Sequence, residues 1–290
     1  MTGFCLLAPL GDAVAKILAD TISLIEILIF RFGMQTVLLL PIVLQSRTSM
    51  AMTPRVLRLT IIRTILHIIG IGAMITSLRY LPLADAIAIA FVMPFIMLLL
   101  GRMVLNEEVG PRRLAACTVG FIGTLLVIQP SFANVGLPAL FPLVVAVVFS
   151  LFILVTRQIA KDVDPLNLQA VSGAMATFIL CVLLLVFANG EPIIFGIVKP
   201  SQTELLLLVV GGTIGTVAHL FMTWSLRFAP SATLAPMQYL EIPFATIIGW
   251  LIFRDLPNGL AAVGIAITCS AGLYIVYRER LTARLVPAEI

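Results

Sequence analysis

Glu241 stands about eight to ten residues into an apolar stretch, residues 231–253, which places it ~12–15 Å along a helix. Gln238 and Tyr239 precede it, and Pro236 and Pro243 flank the group. Two prolines so close together free backbone carbonyls and loosen a helix. A carboxyl group at that depth can bind a cation or take up and release protons. The plainer role is a hydrogen bond that pins a neighbouring helix. Arg31 lies within another apolar run, where a guanidinium can hold a carboxylate or phosphate by two prongs, or pair with Asp12 or Glu26. Asp12 and Lys16 are four residues apart and share a helix face. They either neutralise one another, meet Arg31 as a structural lock, or form one end of a solute cavity. His67 and His219 also fall inside apolar runs, with Arg63 one turn before His67. Histidine suits proton relay, and equally a hydrogen-bonded core position. Tyr239 can stack on a solute or pack in the core. No spacing of ligating residues suits a metal, and no Gly-Lys-Ser/Thr phosphate loop is present, so neither metal, cofactor nor ATP hydrolysis is expected.

These side chains need a scaffold in which charge is costly. Of the 290 residues, 61% are hydrophobic and only 11% charged, too few charges to keep a soluble surface wet. Lipid must be the solvent for much of the chain. A spanning helix takes ~20 apolar residues, so about ten fit. Apolar runs fall at 3–20, 22–44, 61–80, 83–104, 112–129, 136–156, 165–188, 204–226, 231–253 and 258–277. The connectors are too short for a soluble domain, so function must lie within the bundle. The first run is short, and Asp12 and Lys16 inside it argue against a signal peptide. Cys5, Cys117, Cys181 and Cys269 sit in apolar runs without a Cys-x-x-Cys pair and read as small fillers. The net charge of +4 reflects basic helix ends; with no basic stripe carrying interleaved aromatics, nucleic acid is not a partner.

Basic residues also set orientation. With both termini in the cytoplasm, eleven fall in the inside connectors and tail: Arg47, Arg55, Arg58, Arg112, Arg113, Arg157, Lys161, Arg227, Arg278, Arg280 and Arg284. Only Arg79, Lys199 and Arg254 fall outside. The chain also repeats itself. Residues 74–84 and 222–232 share Met, Ser, Leu, Arg, Pro and Ala at six of eleven positions, and Pro94-Phe95 matches Pro243-Phe244. Gly110 and Gly123 match Gly259 and Gly272. The repeat therefore covers five spans, and an odd number forces the halves to insert in opposite senses. Two inverted halves can exchange conformations about a fixed central site, which is how alternating-access carriers are built. Met93 occupies the place of Glu241 in the first copy, so the site is asymmetric.

The segment Ser77-Leu78-Arg79-Tyr80-Leu81-Pro82-Leu83-Ala84-Asp85-Ala86, its second copy from Ser225, the mid-span Pro94 and Pro243, and the acidic turns at Glu107, Glu108 and Asp255 resemble the drug/metabolite transporter superfamily, specifically its EamA-type carriers. The resemblance covers essentially the whole chain. It implies an all-α integral membrane protein of ten transmembrane helices in two inverted five-helix repeats: residues 1–130, residues 135–280, and a cytoplasmic tail over 281–290. It also implies a cavity lined by spans one, three, four, six, eight and nine. The expected function is secondary transport of a small metabolite across a bacterial inner membrane by a monomer or homodimer, driven by an ion gradient such as protons, by exchange, or by simple facilitation. Glu241, Gln238, Tyr239, His67, Arg31, Asp12, Lys16 and His219 are the candidate site residues. A membrane-embedded enzyme would need a catalytic dyad or metal cluster, and a receptor or assembly factor would lack a polar cavity. Asp85 reads as an acid at a helix N-terminus, Arg79 and Arg227 as interface or end-capping residues, and Trp224 and Trp250 as interfacial belt residues. Gly70, Gly72, Gly211, Gly212 and Gly215 read as close-packing positions.

Overall fold

Polar caps and prolines start most of the long helices. Ser23 caps α2 (Leu24–Gln45) by accepting from the Glu26 amide, and Thr53 caps α3 (Pro54–Leu78) through the Val56 amide. Asp164 does the same for α8 (Pro165–Val186). Ser201 and Glu204 satisfy each other's backbone amides at the start of α10 (Gln202–Phe228). Proline stands in the first turn of α3, of α6 (Pro111–Val135) and of α8, where its missing N–H costs nothing. The apolar stretch expected from residue 61 thus begins at Pro54: Arg55 and Arg58 occupy the exposed first turns of α3.

The remaining elements of the computed structural model are α1 (Thr2–Ala19), α4 (Leu83–Ala90), α5 (Met93–Val104), α7 (Phe141–Ile159), the short α9 (Pro192–Phe195), α11 (Ser231–Leu234), α12 (Glu241–Phe253) and α13 (Gly259–Leu285). Residues 1–46, 52–106, 110–187 and 190–285 are described, and among them there is no strand. Arg47, Glu107 and Glu108 lie outside the described residues, as do the side chains of Arg113, Pro236, Arg280 and Arg284. Among the described residues, eight helical stretches are long and apolar enough to cross a membrane, and Met237–Phe253 and Gly259–Tyr274 are shorter apolar helices. Leu185 and Phe228 stand 80% and 82% exposed, an outer surface suited to lipid rather than water.

Two stretches expected to be continuous helices are broken. Pro94 cannot donate to the carbonyl of Ala90, and α4 hands over to α5 through 3-10 bonds at Phe91 and Val92. Pro243 likewise leaves the Tyr239 carbonyl without a helical donor; Ala235–Leu240 winds as a 3-10 turn between α11 and α12. Helices pair α3 on α7, α1 on α10, α2 on α8, α4 on α12 and α6 on α13. The two broken stretches therefore face each other at the centre of the bundle.

Candidate functional site

A cavity of about 60 Å³ lies where the broken helices meet. Its polar lining is Asp12 of α1, Arg31 of α2, His219 of α10 and Glu241 at the first position of α12. Phe4, Phe91, Phe149, Met74 and Met93 supply apolar walls. The elements contributing are α1, α2, α3, α4, α5, α7, α10 and α12, so α2 joins the walls expected from the resemblance, through Arg31.

Backbone geometry aims each polar group. Glu241 opens α12 directly after the 3-10 turn, to whose Gln238 and Tyr239 carbonyls its amide donates, and the helix break holds its side chain in the middle of the bundle, 7% exposed. Its Oε1 has no hydrogen-bond partner. Asp12 is attracted to Arg31 and repelled by Glu241, so the two carboxyls and one guanidinium form a single electrostatic group. Arg31 Nη2 lies 3.2 Å from His219 Nδ1, and the same nitrogen lies 3.0 Å from the Gly215 carbonyl. Gly215 faces the Arg31 guanidinium so closely that any Cβ there would overlap it.

His67 is not in the cavity wall. It stacks on His219 with ring centroids 4.5 Å apart and is enclosed by Phe32, Phe149 and Phe152. Both its ring nitrogens and His219 Nε2 are buried without partners. Gln238 is also fully buried with both side-chain polar atoms unpartnered. Tyr239 points elsewhere: it packs against Gly120 of α6 and Gly272 of α13, behind Phe91. Lys16 turns away from Asp12. It donates to the Leu81 carbonyl at 2.8 Å, pairs with Asp255 at 3.5 Å and lies over the Phe253 ring. Asp85 accepts from Ser131 in the first turn of α4, the place a helix dipole favours.

Spacing in the sequence did not single out the phenylalanine walls or the hydroxyl shell of Arg63. That guanidinium is fully buried and donates to Thr156, Ser172 and Thr223 on α7, α8 and α10. Its only legible signal was a charge within an apolar run. Among the described residues no His, Cys, Asp and Glu cluster is placed to hold a metal.

A helical membrane bundle whose facing helix breaks enclose an apolar-walled cavity with four charged or imidazole side chains suits a solute transporter. The chain belongs to the EamA-like transporter family, which matches residues 3–129 and again 136–278, and so to the drug/metabolite transporter superfamily. It is a multi-pass membrane protein, and its family is one of transporters rather than enzymes. A riboflavin transporter of Rhizobium johnstonii is 31% identical over 75% of this chain and 69% of its own length. Another of Brucella anthropi is 27% identical over 88% of each. An S-adenosylmethionine uptake transporter of Rickettsia prowazekii is 24% identical over 93% of this chain and 89% of its own. A solved crystal structure superposes with a TM-score of 0.70 at 19% identity, covering 96% of both chains, which establishes the likeness of fold.

Proposed function

We propose that this chain is a secondary carrier that moves a small charged metabolite through the bacterial inner membrane by alternating access, with both termini in the cytoplasm. The observation that carries the reading is the central cavity with Asp12, Arg31, His219 and Glu241 in its wall. Metabolite sites run from about 300 to 1,000 Å³, so a cavity of about 60 Å³ is too small for such a solute, and transport would require the helices around it to part.

The pairing of helices supports ten spans in two inverted repeats, residues 1–130 and 135–280. Exchanging the halves turns the α3–α7 pair into the α10–α1 pair, maps α2–α8 and α6–α13 onto themselves, and turns the α4–α12 contact into that of α11 and the 235–240 turn with α5. The family's two matched stretches, 3–129 and 136–278, divide the chain at the same place. Proton coupling is assigned to Glu241, whose buried oxygen lacks a partner, beside Asp12. Relatives named for riboflavin and S-adenosylmethionine point to flat heteroaromatic solutes, for which Phe4, Phe91 and Phe149 offer ring faces.

The test is uptake of labelled riboflavin and S-adenosylmethionine into proteoliposomes, with and without a pH gradient. Counterflow above protein-free liposomes supports the reading. A protein that binds one of these solutes yet never exchanges it across the bilayer is a receptor, and the carrier reading fails.

A further inference from the structure

Among the described residues, Arg63 carries a charge without a counter-ion. It is 0% exposed, and among the described residues no carboxylate pairs with it or acts on it. Its Nε donates to Thr156 at 2.9 Å, Nη1 to Ser172 at 2.6 Å and Nη2 to Thr223 at 3.5 Å, and its face lies 4.6 Å from the Phe152 ring centre. Each hydroxyl spends its own proton on a carbonyl one turn back: Phe152, Leu168 and His219. The shell is therefore made of neutral acceptors. An uncompensated ion away from water is expensive and in membrane helices marks a functional position.

One turn along α3, His67 presents two unpartnered ring nitrogens behind the cavity wall, packed on His219, which lines the cavity and whose Nε2 is a third unpartnered nitrogen. Arg63 and Arg31 both act electrostatically on His67, so its surroundings are positive. The carboxyls nearby, Asp12 and Glu241, belong to α1 and α12, and Arg31 already offsets Asp12.

We infer that Arg63, His67 and His219 form a subsite for an anionic group, a carboxylate or a phosphate, carried by the solute. The inference deepens the carrier reading above and rests on it for the word solute. The ring chemistry couples the subsite to the cavity. His219 Nδ1 cannot both donate to the Gly215 carbonyl and accept from Arg31. An anion at Nε2 selects the tautomer protonated there, leaving Nδ1 to accept from Arg31. A cationic or protonated part of the same solute then faces Asp12 and Glu241, which suits a zwitterion.

The experiment uses the whole protein in detergent and does not require transport. Acetate or inorganic phosphate replaces chloride at constant ionic strength while thermal unfolding is followed. The wild type is expected to gain roughly 2–5 °C. The gain is expected to vanish in Arg63→Met and in His67→Phe, the latter keeping ring packing against Phe32, Phe149 and Phe152. Acetate and phosphate separately decide between carboxylate and phosphate. If the wild type gains nothing over chloride, or if His67→Phe shifts as much as the wild type, the subsite is overturned. The second readout stands even where Arg63→Met does not fold. Uptake by proteoliposomes is scored apart: transport without an anion effect sinks only the subsite, and an anion effect without transport sinks only the carrier.

Discussion

Nη2 of Arg31 lies 3.2 Å from Nδ1 of His219, and the side chain reaches that point only because residue 215, one turn before the histidine, is glycine. A guanidinium donates and never accepts, so this contact links the charge state of the α1–α2 side of the cavity to the tautomer of an imidazole on α10.

Gly215→Ala is therefore expected to displace Arg31. Overpacking of this kind costs about 1–3 kcal/mol. Uptake should fall by at least tenfold, because Asp12 loses its cation and His219 its donor together. Arg31→Met relieves the clash, so Arg31→Met/Gly215→Ala should be less destabilised than the sum of the single changes. Denaturant midpoints of the four proteins measure that coupling; a strictly additive cycle contradicts the contact.

Glu241→Gln keeps the shape of the side chain and removes its ability to exchange a proton. Uptake driven by a pH gradient should be lost, while counterflow without a gradient continues within a few-fold of the wild type. Measured between pH 5 and 8, the variant's counterflow should be flat. A variant that still concentrates solute in response to a pH gradient removes Glu241 from the coupling role.

Lys16 and Asp255 present the opposite case. They pair at 3.5 Å with side chains 19% and 39% exposed, at the rim rather than the centre. Exposed pairs contribute about 0–1 kcal/mol. Asp255→Asn should shift stability by less than ~1 kcal/mol. Lys16→Met should cost more, since it also removes the bond to the Leu81 carbonyl and the contact with Phe253. Thermal midpoints of the two variants in the same detergent check the order.

The contrast between these residues explains what could be read from the chain alone. Asp12, Arg31, His219 and Glu241 stood out because charge and imidazole are rare in apolar runs, and all four reach the cavity. Pro236 and Pro243 imply a loosened helix in the sequence, but neither they nor the mid-span Pro94 signal an outright break, nor that Glu241 opens a new helix. Lys16 shares a face with Asp12 by spacing, but a long flexible stem lets its ammonium leave that face for Asp255, some 240 residues away. The hydroxyls around Arg63 come from three helices more than 90 residues distant, and Ser and Thr within apolar helices carry no spacing signal. The reading of Gly215 as a close-packing position anticipated the small residue without its neighbour, a guanidinium rather than a backbone.

The contact of α6 with α13 gives the last prediction. A Cβ at Gly123 would run into the Thr268 hydroxyl and the Gly264 carbonyl, and one at Gly264 into the Gly123 carbonyl. Without side chains at these two positions the backbones touch, and the Thr268 hydroxyl, which donates to the Gly264 carbonyl at 2.8 Å, also lies 3.3 Å from the Gly120 carbonyl across the seam. In lipid no hydrophobic effect drives helices together, so this close backbone approach and its packing are what hold them. Tyr239 packs against Gly120 and Gly272 beside the same seam, so parting the pair also loosens the turn that precedes Glu241. Gly123→Ala should cost about 1–3 kcal/mol and reduce uptake. Gly33→Ala in α2 is the control: its Cβ meets nothing within 4 Å, and alanine favours a helix over glycine by about 0.5–1 kcal/mol. Thermal unfolding should thus move in opposite directions for one and the same substitution. Equal shifts at both positions would mean that α6 and α13 do not meet through their backbones.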